Sequence, residues 1–225
     1  MTMNPKAEFA VIFDFDGTLA DSMGAWRNLQ TELCQRCGME STNEVMRDLN
    51  PLTIPEIAAY FHALGLGESE QEVLDIIDAT MRHGYAHEVV LKPGAAQLVK
   101  DVHEAGIPVS VVSATPHYLI DIALEALNLS AYVDHVVSVD DVGHSKREPH
   151  AFLKAAELMN CPVEDALVVE DSLYAIRTAK DAGFHTLAVY DMDESGTVEE
   201  LKTAAHSFVL TLESVTVSPL RAFAL

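Results

Sequence analysis

The sequence predicts an α/β protein: a doubly wound parallel sheet with an α-helical domain inserted close to its start. Three observations predict it. Short apolar runs, from Val11-Ile12 through 108–113, 135–139, 166–169 and 185–189 to 207–210, alternate with segments of helical periodicity, and such alternation builds parallel sheets. Between 23 and 91 the alternation stops and only helical patterns occur. Polar residues gather just beyond the apolar runs, at the carboxyl ends of strands where open parallel sheets bind ligands. The expected division is therefore a core of 1–22 and 92–225 and a helical domain of 23–91.

The first apolar run stops at Asp14-Phe15-Asp16-Gly17-Thr18-Leu19-Ala20-Asp21-Ser22. Two acids one residue apart would point to the same side of an extended chain, and Gly17 permits a sharp turn that lets both face one pocket. A calcium loop would need glycine at its sixth position; here Gly17 falls at the fourth. In the helical insertion, Trp26, Leu29 and Leu33 share a face that Gly38 closes. Ser41 with Glu44, Thr53 with Glu56 and Ser69 with Glu72 have the spacing of capping boxes. The last two of these predict helices ending near Gly65 and Gly84.

At Lys92-Pro93-Gly94 the alternation resumes. A helix carrying Leu98, Val99 and Val102 runs to Gly106, and the strand after it ends at Ser113. A helix through Ile120, Leu124 and Leu127 precedes the strand at 135–139. A polar loop over 140–149 then leads to a helix with Phe152, Leu153, Ala156 and Leu158. The strand at 166–169 ends at Glu170-Asp171-Ser172, and a helix of small residues, Ala175, Ala179 and Ala182, stops at Gly183 before the strand at 185–189.

Composition narrows the function. The 225 residues carry 35 acidic against 14 basic side chains, a net charge of −21. That balance disfavours nucleic acid and anionic membrane surfaces as partners, and no apolar stretch has the length of a membrane span or secretory signal. A cytoplasmic protein is expected, as a monomer or homodimer. Cys34, Cys37 and Cys161 make no disulfide framework, and the Cys34–Cys37 pair reads as two thiols on a helix.

Asp14 and Asp16, Ser113, Lys146, and Glu170 with Asp171 all fall at or beyond the carboxyl ends of predicted strands, so one crevice receives them. Carboxylates gathered this way repel one another without a cation, and hard oxygen ligands select Mg²⁺. Isolated histidines more often lie at the surface, so His117, His144 and His150 are assigned no chemistry.

These residues closely resemble the four motifs of the haloacid dehalogenase superfamily, in its phosphatase and phosphomutase branch with a helical cap inserted after the first motif. The resemblance implies a Rossmann-like core and a phosphoryl-transfer enzyme. In it, Asp14 is the nucleophile and forms an aspartyl-phosphate; Asp16 is the general acid and base. Mg²⁺ is held by Asp14, the Asp16 backbone carbonyl and Asp171, with Glu170 acting through water. Ser113, Lys146 and the backbone N–H of Ala114 grip the phosphoryl oxygens, and Thr18 supports the loop. Two departures stand out: Arg147-Glu148-Pro149-His150 follows Lys146 in place of the usual Pro-x-Pro-Asp, and Ala175 replaces a frequent glycine.

The resemblance implies a small phosphorylated metabolite as substrate, with Arg47, Asn50 and Thr53 as candidates for specificity in the cap. Between Asp21 and Leu91 the only basic residues besides histidines are Arg27, Arg36, Arg47 and Arg82. So acidic a cap favours hydrolysis of a monophosphate over a mutase of the beta-phosphoglucomutase type, which must hold a second phosphate. A non-catalytic phosphoacceptor module is the other alternative; Asp16 and the insertion speak against it.

Overall fold

A computed structural model describes residues 6–49, 52–192 and 196–221, without the side chains of 46–48 and 221. The chain divides into two compact units, 1–21 with 90–225 and 22–89.

The first unit is built around β1 (Ala10–Phe13), whose four residues are all fully buried. Strands buried on both faces are apolar throughout, as this one is. β1 lies between β4 (Val109–Ser113) and β6 (Ala166–Glu170); β5 (His135–Ser138) flanks β4, and β7 (His185–Val189) and β8 (Ser207–Val209) follow β6. The order β5-β4-β1-β6-β7-β8 is parallel at every pairing. The chain winds outward from β1 in one direction and then in the other, which opens a crevice at the carboxyl end of β1.

Helices α5 (Ala95–Glu104), α6 (His117–Ala126), α8 (His150–Leu158), α9 (Leu173–Asp181) and α10 (Val198–Ala204) flank the sheet. Ala10 and Ile12 of β1 share a core with Phe152 and Ala155 of α8 and with Ala175 and Ala179 of α9. Alternation directs Val11 and Phe13 to the other face. Ala175 is fully buried in that core, so the methyl group in place of a glycine is absorbed by packing. A short α11 (Val217–Arg221) ends the described chain.

Three local expectations are corrected. The helical pattern does not persist to Lys92: β3 (Val90–Leu91) pairs antiparallel with β2 (Ala20–Asp21), forming a two-stranded ribbon where the chain leaves and re-enters this unit. The 140–149 loop begins inside a four-residue helix, α7 (Val139–Val142), which Ser138 and Asp141 cap. Leu153 and Leu158 of α8 are exposed, so its buried face is Ala151, Phe152, Ala155 and Ala156.

The second unit holds α1 (Met23–Arg36), α2 (Asn43–Leu49), α3 (Ile54–Ala63) and α4 (Glu70–His87). Leu29, Leu33, Ile57, Phe61, Val73, Ile77, Met81 and Tyr85 are buried. Trp26 Nε1 donates to Tyr85 Oη at 3.1 Å, and Cys34 is buried in α1 with its thiol free. The helix expected to end at Gly84 continues for another turn, to His87. A Cβ on Gly84 would lie 2.9 Å from that of Ala25, so this glycine serves close packing of α1 on α4. Thr53 and Glu56 form the expected capping box, and Ser69 Oγ accepts from Glu72 N. Ahead of α2, however, it is Thr42 Oγ1 that accepts, from Val45 N, in place of Ser41. No helix among the described residues is long and apolar enough to cross a membrane.

Candidate active site

The ladder of β1 runs one residue past the strand: Asp14 N donates to Val169 O at 2.9 Å, which places the Asp14 side chain beside the end of β6. The chain then turns through Gly17, with Gly17 N bonded to Ala20 O at 2.8 Å. Gly17 has φ +92°, and a Cβ there would stand 2.7 Å from Asp171 Oδ2. Only glycine fits both conditions. Thr18 Oγ1 donates to Asp171 Oδ1 at 3.3 Å, joining the β1 loop to the β6 loop.

Lys146 enters from the segment after α7. It is buried, its ammonium contacts Asp14 Oδ1, and it donates to Glu170 Oε1 at 3.0 Å. The other Glu170 oxygen accepts from Ser172 N at 2.7 Å. The departure from the usual sequence after Lys146 is anchored by Arg147, whose guanidinium lies 4.6 Å from the centre of the Tyr174 ring on α9. At the end of β4, Ser113 Oγ donates to Asp16 Oδ2 at 2.8 Å and accepts from Thr115 N at 2.9 Å. Ala114, next in sequence, is exposed.

Asp14, Glu170 and Asp171 each offer a carboxylate oxygen within 4.8 Å of the other two, and all three are buried. Burial drives the Asp14 carboxyl up to about 7, and repulsion from Glu170 adds to it against the attraction of Lys146. Asp171 is also raised well above the ordinary carboxylate range, by burial and then by the charges of Glu170 and Asp14. Burial alone would lower the Lys146 ammonium, but the Asp14 and Glu170 carboxylates outweigh it and hold it above the usual lysine value. Among the described residues, Asp14 Oδ2 is buried with no hydrogen-bond donor. A buried anionic oxygen without a donor is costly unless a cation meets it. An all-oxygen donor set with such an orphaned atom suits Mg²⁺.

The sequence model of the haloacid dehalogenase-like hydrolases matches residues 11–189, spanning every residue of this cluster. The chain belongs to that family. Hexitol phosphatase A of Escherichia coli is 28% identical over 213 residues, covering 92% of this chain and 93% of its own. Validoxylamine A 7'-phosphate phosphatase of Streptomyces hygroscopicus subsp. limoneus is 28% identical over 172 residues, 76% of this chain and 81% of its own. The crystal structure of CbbY from Rhodobacter sphaeroides in complex with phosphate superposes with a TM-score of 0.76 at 24% identity, covering 94% of this chain and 98% of that one. At that identity it shows that the haloacid dehalogenase-like hydrolase shares the fold.

Of the residues singled out in this hydrolase, Asp14, Asp16, Ser113, Lys146, Glu170 and Asp171 come together through the contacts above. Thr53 caps α3, and Asn50 and the Arg47 side chain lie outside the described residues. One residue was not foreseen. Lys92 Nζ donates to Gly17 O at 2.6 Å and pairs with Asp191, pinning the turn that follows Asp16. Its only sequence signal is position, immediately before Pro93-Gly94 where the α/β alternation resumes.

Proposed function

We propose that this chain is a Mg²⁺-dependent phosphatase that hydrolyses a small phosphorylated metabolite through an aspartyl-phosphate on Asp14. The observation that carries the proposal is the buried Asp14 oxygen without a donor, set within a carboxylate cluster that one lysine bridges. The two curated relatives described above are both named as phosphatases, which favours hydrolysis over phosphoryl transfer to a second sugar.

Asp14 Oδ2, the Asp16 backbone carbonyl and Asp171, with Glu170 outside them, would hold Mg²⁺, which when bound offsets the repulsion between the anionic nucleophile and the phosphate. Lys146 favours the ionised form of Asp14 against burial and directs one of its oxygens, and a charged donor beside the reacting phosphoryl stabilises charge as it develops. Asp14 attacks phosphorus in line, splitting one difficult displacement into two. Asp16 protonates the departing oxygen and afterwards takes a proton from the attacking water, a role worth about 10²–10⁴-fold. Its hydrogen bond from Ser113 holds one carboxylate oxygen in place. Ser113, Lys146 and the Ala114 N–H bind the phosphoryl oxygens. The helical insertion, 23–91, acts as the cap that selects the leaving group, with Arg47, Asn50 and Thr53 as its candidate contacts.

The test is phosphate release across a panel of metabolite monophosphates, with Mg²⁺ and with chelator. Turnover that needs Mg²⁺ and disappears in a folded Asp14→Asn variant is the expected result. Turnover surviving in Asp14→Asn, or interconversion of hexose phosphates without phosphate release, overturns the reading.

A further inference from the structure

The segment that delivers Lys146 carries a second set of ligating side chains that the chemistry above does not use. His144 Nδ1 lies 3.1 Å from Glu148 Oε1, and His150 Nε2 lies 3.5 Å from Glu148 Oε2, so one carboxylate stands between two imidazoles. The ring centres are 4.1 Å apart, and the three residues each present a ligand atom within 4.8 Å of the others. All three side chains are about half exposed, whereas Lys146, between them in sequence, points into the buried cluster. The two sets therefore diverge from one stretch of backbone.

We propose that His144, Glu148 and His150 form a binding site for Zn²⁺, separate from the carboxylate cluster around Asp14. The donor set argues for the metal. Two imidazoles and a carboxylate, with water completing a tetrahedron, are ligands that Zn²⁺ takes, whereas Mg²⁺ seeks an octahedron of hard oxygens. The spacing argues for the geometry. Two ligand atoms each about 2.0–2.1 Å from a tetrahedral ion stand about 3.3 Å apart; one ligand atom from each of the three residues already lies within 4.8 Å of the other two, so a small inward turn closes the set. The exposed rings have only to turn toward a common point.

The backbone is already arranged. Glu148 N donates to Ser145 O at 3.0 Å, Pro149 holds φ at −78°, and His150 opens α8. Ordering that precedes binding lowers the entropy cost of capturing an ion. The net charge of −21 draws cations to the surface. A bound ion would tie together the two sides of the turn from which Lys146 projects.

The experiment is calorimetric titration of untagged protein with Zn²⁺ in a large excess of Mg²⁺, which occupies the carboxylate cluster. One equivalent of Zn²⁺ is expected to bind. The double substitution His144→Ala/His150→Ala, and separately Glu148→Gln, should weaken it by at least about tenfold, since losing even outer-shell partners of a metal costs 10–100-fold. Asp171→Asn should leave it unchanged. Co²⁺ in place of Zn²⁺ should give a four-coordinate visible spectrum without a thiolate charge-transfer band, separating this site from Cys34 and Cys37. Absence of binding, undiminished affinity in the double variant, or loss of Zn²⁺ in Asp171→Asn overturns the proposal.

Discussion

Ser113 Oγ donates to Asp16 Oδ2 at 2.8 Å, joining residues 97 positions apart at the ends of neighbouring strands. The same hydroxyl accepts from Thr115 N, and Thr115 O in turn accepts from Ser138 Oγ at 2.9 Å. The loops after β1, β4 and β5 are thus tied together, and the Ser113 proton is committed to Asp16. Ser113→Ala removes a hydrogen bond to a charged group, worth about 1.5–3 kcal/mol. Its kcat/KM for the best substrate should fall by about 10- to 100-fold, measured by phosphate release in saturating Mg²⁺. An unchanged value would mean that the hydroxyl neither orients Asp16 nor touches substrate.

Lys146→Met leaves Asp14 and Glu170 buried without their shared cation. Removing one partner of a buried ion pair costs about 3–5 kcal/mol, so the midpoint of urea unfolding in metal-free buffer should drop by that equivalent. The loss should be smaller at pH 6 than at pH 8, because Asp14 takes up a proton as the pH falls below its raised value of about 7.

Gly17→Ala brings a methyl group against Asp171 Oδ2 at a positive φ. Backbone strain of this kind costs about 1–3 kcal/mol, and relief of the clash shifts Asp171 from its place in the carboxylate cluster. The Mg²⁺ concentration for half-maximal activity should rise by about tenfold or more, while the far-ultraviolet circular dichroism stays that of the parent.

Stability in the absence of metal should fall as pH rises. Between the ordinary Asp value of 3.8 and about 7, folded Asp14 keeps a proton that the unfolded chain has lost, so the native state binds more protons and the slope of stability against pH is negative. Asp171 adds to the slope with the same sign. At the proposed Mg²⁺ site the metal would compete with those protons, so the rise in Tm on adding Mg²⁺ should be larger at pH 8 than at pH 6. Thermal scans at the two pH values, with and without Mg²⁺, measure it.

What the sequence disclosed and what it hid follow the range of the interactions. β1, β4 and β6 are legible because strands buried on both faces are apolar along their whole length, and Asp14, Asp16, Glu170 and Asp171 because acids following several such runs gather at one edge of a parallel sheet. The β2–β3 ribbon has two residues in each strand, too few to show a period. Gly84 looks like a helix end until Ala25, 59 positions earlier, is found against it. The bonds from Ser113 to Asp16 and from Lys92 to Gly17 O are wholly tertiary. His144, Glu148 and His150 look like three surface residues until the turn before α8 brings them together.

The ribbon gives the molecule a modular character. Asp21 and Val90 are facing partners in an antiparallel pair, and such partners have Cα atoms only about 4.5–5.5 Å apart. The whole of 22–89 is therefore spliced in at a gap that a two-residue hairpin turn could close. Grafting another helical segment onto the same two positions, or excising this one, asks nothing new of the parallel sheet, so under the proposed function leaving-group preference could be exchanged while the carboxylate cluster stays intact.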